Sequence, residues 1–173
     1  MLLLKVMNSL NAELYGQRPS LTRDNQLSGD AASGREHGLT QPERLPAIAP
    51  GTPMWKAVPP RLVGPYLTGQ RSVLAGYVYR ATDVRFHNAA EAYHALSLGW
   101  EDSEFTPAMS ELYLLAWLAR PVDGYTEAAG HGVPEFYLEP IPIPVGAGMC
   151  RLGTDSDRLV ARFDGLAWQQ TEP

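Results

Sequence analysis

Cysteine is almost missing from this chain. Cys150 stands alone among 173 residues, so no internal disulfide can form, which fits a reducing compartment or an exported protein that holds together without staples. Charge of one sign is also short. A formal net charge of −5 with only 14 Lys and Arg gives no basic face and argues against a general nucleic-acid binder. Long apolar runs are absent as well: MLLLKV turns polar at MNSLNAE, too short for a signal-peptide core or a bilayer span. The LLL run reads instead as an edge strand or a staple onto the core. Histidine is scarce and scattered (His37, His87, His94, His131), with no HExxH and no cysteine pairs, so a zinc site is not expected. Neither GxSxG nor GxGxxG nor a Walker loop occurs, which leaves a serine nucleophile elbow and a glycine-rich phosphate cradle without support.

What the chain does have is glycine and proline, 16 and 15 of them, above average usage and indicative of short elements joined by long loops. The length suits one domain over residues 1–173 with one hydrophobic core. Within it, residues 16–50 are rich in Gly, Ser, Asp, Asn, Arg and Pro, and read as a loop-rich segment.

The middle of the chain is more regular. PPRLVGPYLTG, Pro59 to Gly69, reads as a short helix or turn after a proline pair. SVLAGYVYRATD is dominated by β-branched and aromatic residues, and the expectation is a strand buried on both faces. Asn88 is placed to cap a short helix, AAEAYHALSL. MSELYLLAWLARP suits a helix, with Ser110 as cap and Leu112, Leu115, Ala116 and Leu118 at helical spacings, or a buried strand by its Leu, Tyr and Trp content; the run is too short for periodicity to decide, and Pro121 ends it either way. EFYLEPIPIPVG reads as an extended edge strand interrupted by prolines, and DRLVARFDGLAW as one more strand or helix.

Chemistry-bearing residues concentrate in GWEDSEF, where Glu101, Asp102 and Glu104 fall within four positions. Apolar segments on either side would pin the loop's ends, and Trp100 and Phe105 would wall a cleft. On an extended segment, residues two apart share a side, so Asp102 and Glu104 are expected to converge while Glu101 points away.

The order of residues in GYVYRATDVRFHNAAEAYHALSLGWEDSEF resembles the central region of the catalytic chains of bacterial ADP-ribosyltransferase toxins of the cholera and pertussis type. The features are an aromatic-rich strand, Phe86 with Asn88, Ala92–Tyr93, and an acidic turn ending in a glutamate before an apolar residue. RLVGPYLTG upstream resembles the helix before that strand. The likeness covers roughly residues 61–118. It implies an α+β fold of two small packed, mostly antiparallel sheets with short helices around an NAD cleft. It implies mono-ADP-ribosyltransferase activity, with NAD as substrate and a side chain of a target host protein as acceptor. Glu104 takes the place of the glutamate that stabilises the ribose cation, and Asp102 that of the acid two positions earlier, one methylene shorter than usual. Gly16 stands after Tyr15 where the family carries its cleft arginine, leaving Arg18 as the nearest replacement. Thr52, in GTPMW, matches the supporting hydroxyl, and His37 matches the histidine near the ribose. The resemblance further implies a secreted or translocated toxin or effector with delivery subunits. Its alternative is a catalytically degenerate relative that binds a protein partner.

Overall fold

The structure is a computed structural model and describes residues 47–128, 133–154 and 157–171. The loop-rich segment 16–50 therefore lies outside the described residues except for 47–50, which end in a turn at Pro50–Gly51.

Eight strands and two short helices follow one another along the described chain: β1 (Pro53–Val58), α1 (Pro60–Leu67), β2 (Val73–Arg80), α2 (Ala89–Ala95), β3 (Leu112–Leu118), β4 (Tyr125–Ala128), β5 (Glu135–Pro142), β6 (Gly148–Leu152), β7 (Asp157–Phe163) and β8 (Trp168–Gln170). The strands form a single antiparallel sheet in the order β4-β5-β2-β1-β3-β6-β7-β8. The α+β class agrees with the sequence reading, but the expected two packed sheets are replaced by one. The reason is β1: it bonds β3 along its whole length, from Pro53↔Leu118 to Val58↔Tyr113, and also bonds β2, so the two halves become one ladder. The β1–β2 join is narrow, with register pairs only at Met54↔Arg80 and Trp55↔Tyr79.

The faces of this sheet are covered by helices and loops. β3 is central, and its alternate residues feed two cores. Leu112, Leu114, Ala116 and Leu118 join the core beneath α2 and the following loop, with Ala92, Leu96, Leu98 and Phe105. Leu115 and Trp117 join the core beneath α1, with Met54, Val58 and Tyr66. A strand buried on both faces shows no periodicity, which is why MSELYLLAWLARP was undecidable by pattern.

Both helices form where local signals place them. Pro60 opens α1, where a missing N–H is harmless, and Thr68 Oγ1 donates back to the Gly64 carbonyl at 2.9 Å near its end. Asn88 Oδ1 accepts from Glu91 N at 2.9 Å, while the Glu91 carboxylate accepts from His87 N at 2.8 Å. This reciprocal cap satisfies two otherwise idle donors. Asn88→Ala is expected to cost about 1 kcal/mol of stability, read as a lowered urea midpoint at unchanged slope.

Two strand expectations need correction. β2 is not buried on both faces: Tyr77 is 54% exposed and Val73 41%, while Leu74, Val78 and Tyr79 are buried. β5 is not an edge along its length, since β4 pairs it from Glu135 to Leu138. Beyond Leu138 it does become the edge, and the prolines sit there. Leu74↔Ile141 is followed by Gly76↔Leu138, so β5 carries one extra residue, a bulge that keeps Ile141 on the same face as Leu138. Ile143 N donates to Ser72 O at 3.1 Å, so by alternation Pro142 turns its nitrogen away from β2, where no donor is required.

Candidate active site around the acidic loop

The ends of GWEDSEF are pinned as expected. Leu98 and Phe105 are buried, at 1% and 4% exposure. Between them the chain turns rather than extends: Ser103 N donates to Trp100 O at 3.1 Å, Ser103 Oγ donates to Leu98 O, and Asp102 adopts a φ of +63°. Aspartate tolerates this left-handed conformation better than most side chains. The consequence is geometric. The two-residue alternation that would aim Asp102 and Glu104 to one side does not apply in a turn, so its premise fails.

Glu104 meets a cation. Arg61 Nη1, at the start of α1, lies 2.6 Å from Glu104 Oε1, with the Glu104 side chain 32% exposed. Next to Arg61, Pro60 lines a groove of about 520 Å3 together with Val63 of α1 and residues 108–113, including Met109, Glu111 and Tyr113. Glu111 faces Arg151 at 3.5 Å. Glu101 lines a different hollow, of about 560 Å3, with Tyr93, His94 and Trp100, which neither Asp102 nor Glu104 lines. Trp100, which lines that hollow, meets the buried Phe105 edge-on, ring centroids 5.8 Å apart.

The remaining candidates do not gather here. Thr52 precedes β1, its backbone joined to Ala49 and Ala119, whereas Arg61 follows the far end of that strand. The rise along the six residues of β1 puts Thr52 roughly 20 Å from the Arg61–Glu104 end. Arg18 and His37 lie outside the described residues. Among the described residues no group of His, Cys, Asp and Glu is arranged to hold a metal ion, and no helix is long and apolar enough to cross a membrane. Cys150 is buried, and burial, with Asp157 adding to it, pushes its thiol up to about 12, which leaves it inert as a nucleophile.

Two groups of polar residues escaped the sequence reading. Tyr79, expected in the core and buried there, directs its hydroxyl at both Leu96 O (2.9 Å) and Glu135 Oε1 (2.7 Å). Burial first, then the Glu135 hydrogen bond and charge, push the Tyr79 phenol up from its ordinary value. Lys56, half-buried, reaches from β1 to β2, its Nζ donating to Tyr77 O at 3.3 Å. Burial first, then the nearby positive charge of Arg71, lower it to about 8, with Glu135 opposing. The only sequence signal was a lone cation in MWKAV, between residues with strand-core character. A scan against protein-family models and searches of curated proteins and of solved structures found no match to this chain.

Proposed function

We propose that the chain is a mono-ADP-ribosyltransferase in which Glu104 supplies the negative charge beside the ribose of NAD. The observation that carries this reading is the Arg61–Glu104 ion pair, an exposed carboxylate facing a guanidinium on a loop anchored in the core at both ends. In the reaction the bond from the ribose to the nicotinamide nitrogen breaks, nicotinamide leaves with the bonding pair, and an acceptor side chain forms the new bond as it gives up a proton. A fixed carboxylate next to the sugar is stabilising chiefly when that sugar turns cationic, so it lowers the barrier more than it tightens the ground state. Arg61 is no obstacle. A pair this exposed is worth about 0–1 kcal/mol, so a ribose can displace the guanidinium, or the guanidinium can swing to a phosphate, at small cost. The acceptor is a side chain of a target protein, and the enzyme acts as a secreted or translocated effector; the sequence resemblance alone supports these two statements.

A second reading is a protein-binding module without turnover. It is favoured by the distance between Thr52 and the Arg61–Glu104 end of β1 and by the single sheet, neither of which suits a site assembled between two packed sheets. One experiment separates them. Wild type is expected to release nicotinamide from NAD, and Glu104→Gln to lose about 100-fold or more of that rate with an unchanged melting temperature. If wild type releases none but NAD still raises the melting temperature, the binding reading replaces the transferase. If NAD has no effect on either rate or melting, NAD is not a ligand of this chain.

A further inference from the structure

On the other wing of the sheet, three polar side chains stand in a row across neighbouring strands. Tyr113 of β3 is paired with Arg151 of β6, and Arg151 with Arg158 of β7. Tyr113 packs against the core beneath α1, and residues directly opposite one another share a face, with Cβ atoms about 5 Å apart. Two arginines therefore stand side by side on the α1 face, and like charges so placed are destabilising.

One acid serves the pair. Glu111 Oε2 lies 3.5 Å from Arg151 Nη1, and Glu111 Oε1 accepts from the Tyr113 hydroxyl at the same distance. Among the described residues Arg158 forms no ion pair and no side-chain hydrogen bond, whereas Arg61, Arg80, Arg120 and Arg151 each meet an acid. The two ends of the row, Tyr113 and the exposed Arg158, line one hollow of about 300 Å3, at the lower end of the range for small-molecule pockets. Leu67, the last residue of α1, gives it an apolar wall together with Val160. Val160 is the extra residue of a bulge: Cys150 pairs with Leu159 and Met149 with Ala161, so Val160 has no partner on β6, and bulges of this kind re-aim a side chain. Gln170 of β8 adds an amide at the opposite side.

We propose that this hollow binds an alkyl carboxylate, its head group on Arg158 and the neighbouring Arg151 and its hydrocarbon against Leu67 and Val160. A planar carboxylate matches the fork of a guanidinium and cancels the repulsion between the two arginines. The apolar wall argues against a bare phosphate, because oxygens turned toward Leu67 and Val160 would lose their hydrogen bonds. Glu104 does not line this hollow, so the site does not depend on the reading given to that residue.

The test titrates the full chain by calorimetry with sodium octanoate below its micelle concentration, and in parallel with acetate, octanamide and inorganic phosphate. Octanoate is expected to saturate one site per chain. Acetate lacks the hydrocarbon and octanamide the charge, and each is expected to bind at least about tenfold more weakly. Arg158→Gln is expected to weaken octanoate binding by about tenfold or more at a melting temperature no lower than that of wild type, since it relieves the like-charge pair. Arg85→Gln makes the same change at an exposed arginine outside the hollow and is expected to bind octanoate as wild type does. Octanoate that fails to saturate, that still binds Arg158→Gln equally well, or that is lost equally in Arg85→Gln overturns the site. Octanamide or inorganic phosphate binding as tightly as octanoate overturns the assignment of an alkyl carboxylate.

Discussion

Trp117→Ala is expected to be the most damaging single change, lowering unfolding free energy by about 3–5 kcal/mol and the melting temperature by roughly 10 °C. Trp117 lies on β3, the strand shared by both cores, and is 1% exposed. Around it pack residues contributed from both sides of the β1–β3 pair, including Met54, Leu115 and Tyr66. Its Nε1 also donates to Tyr125 Oη at 3.2 Å, but a bond of this kind contributes only about 1 kcal/mol. The loss therefore comes mainly from the emptied volume, which a pleated sheet held in register on both edges cannot collapse to fill. Urea unfolding measures it, and a cost below about 1.5 kcal/mol would mean that this core is not closely packed.

Lys56→Met is expected to act in the opposite direction. With the folded amine lowered to about 8 from 10.5, the unfolded chain binds more protons between those values, so wild-type stability rises with pH across that window. Below pH 8 the charged amine penalises the folded state in full, on the order of 3 kcal/mol, and methionine removes that penalty. The variant should therefore be the more stable at pH 7, and its advantage should shrink as pH approaches 10.5. Other groups push the other way: Cys150, Tyr79 and Tyr125 are all raised in the folded state, so each loses stabilising effect above its ordinary value. The difference between wild type and variant, measured by urea unfolding at each pH, cancels their contribution. A variant less stable than wild type at pH 7, with a difference that does not change with pH, would show that Lys56 carries no buried-charge penalty.

The parts of the fold legible in the sequence are those fixed by neighbours in the chain. A proline pair sets the start of α1, and Asn88 with Glu91 sets the start of α2. Pairing is not local, and nothing in PMWKAV says that it bonds two strands at once; that single fact turns two expected sheets into one. Likewise the bulge after Leu138 keeps Ile141 inward, although simple alternation would turn it out. At the acidic loop, the anchoring of Leu98 and Phe105 could be read from their apolar character. The direction of the carboxylates could not, because it follows from one left-handed backbone angle at Asp102. Nor could the Arg61–Glu104 pair, since it joins residues from different elements.

The two-pair contact between β1 and β2 has a mechanical meaning. The sheet is in effect two wings stitched at Met54–Arg80 and Trp55–Tyr79, with Ala81 N donating to Pro53 O at 2.9 Å beside them, so few backbone bonds there resist a twist of one wing against the other. A side chain such as Lys56, spanning the gap with one long bond, adds a single strut across that seam.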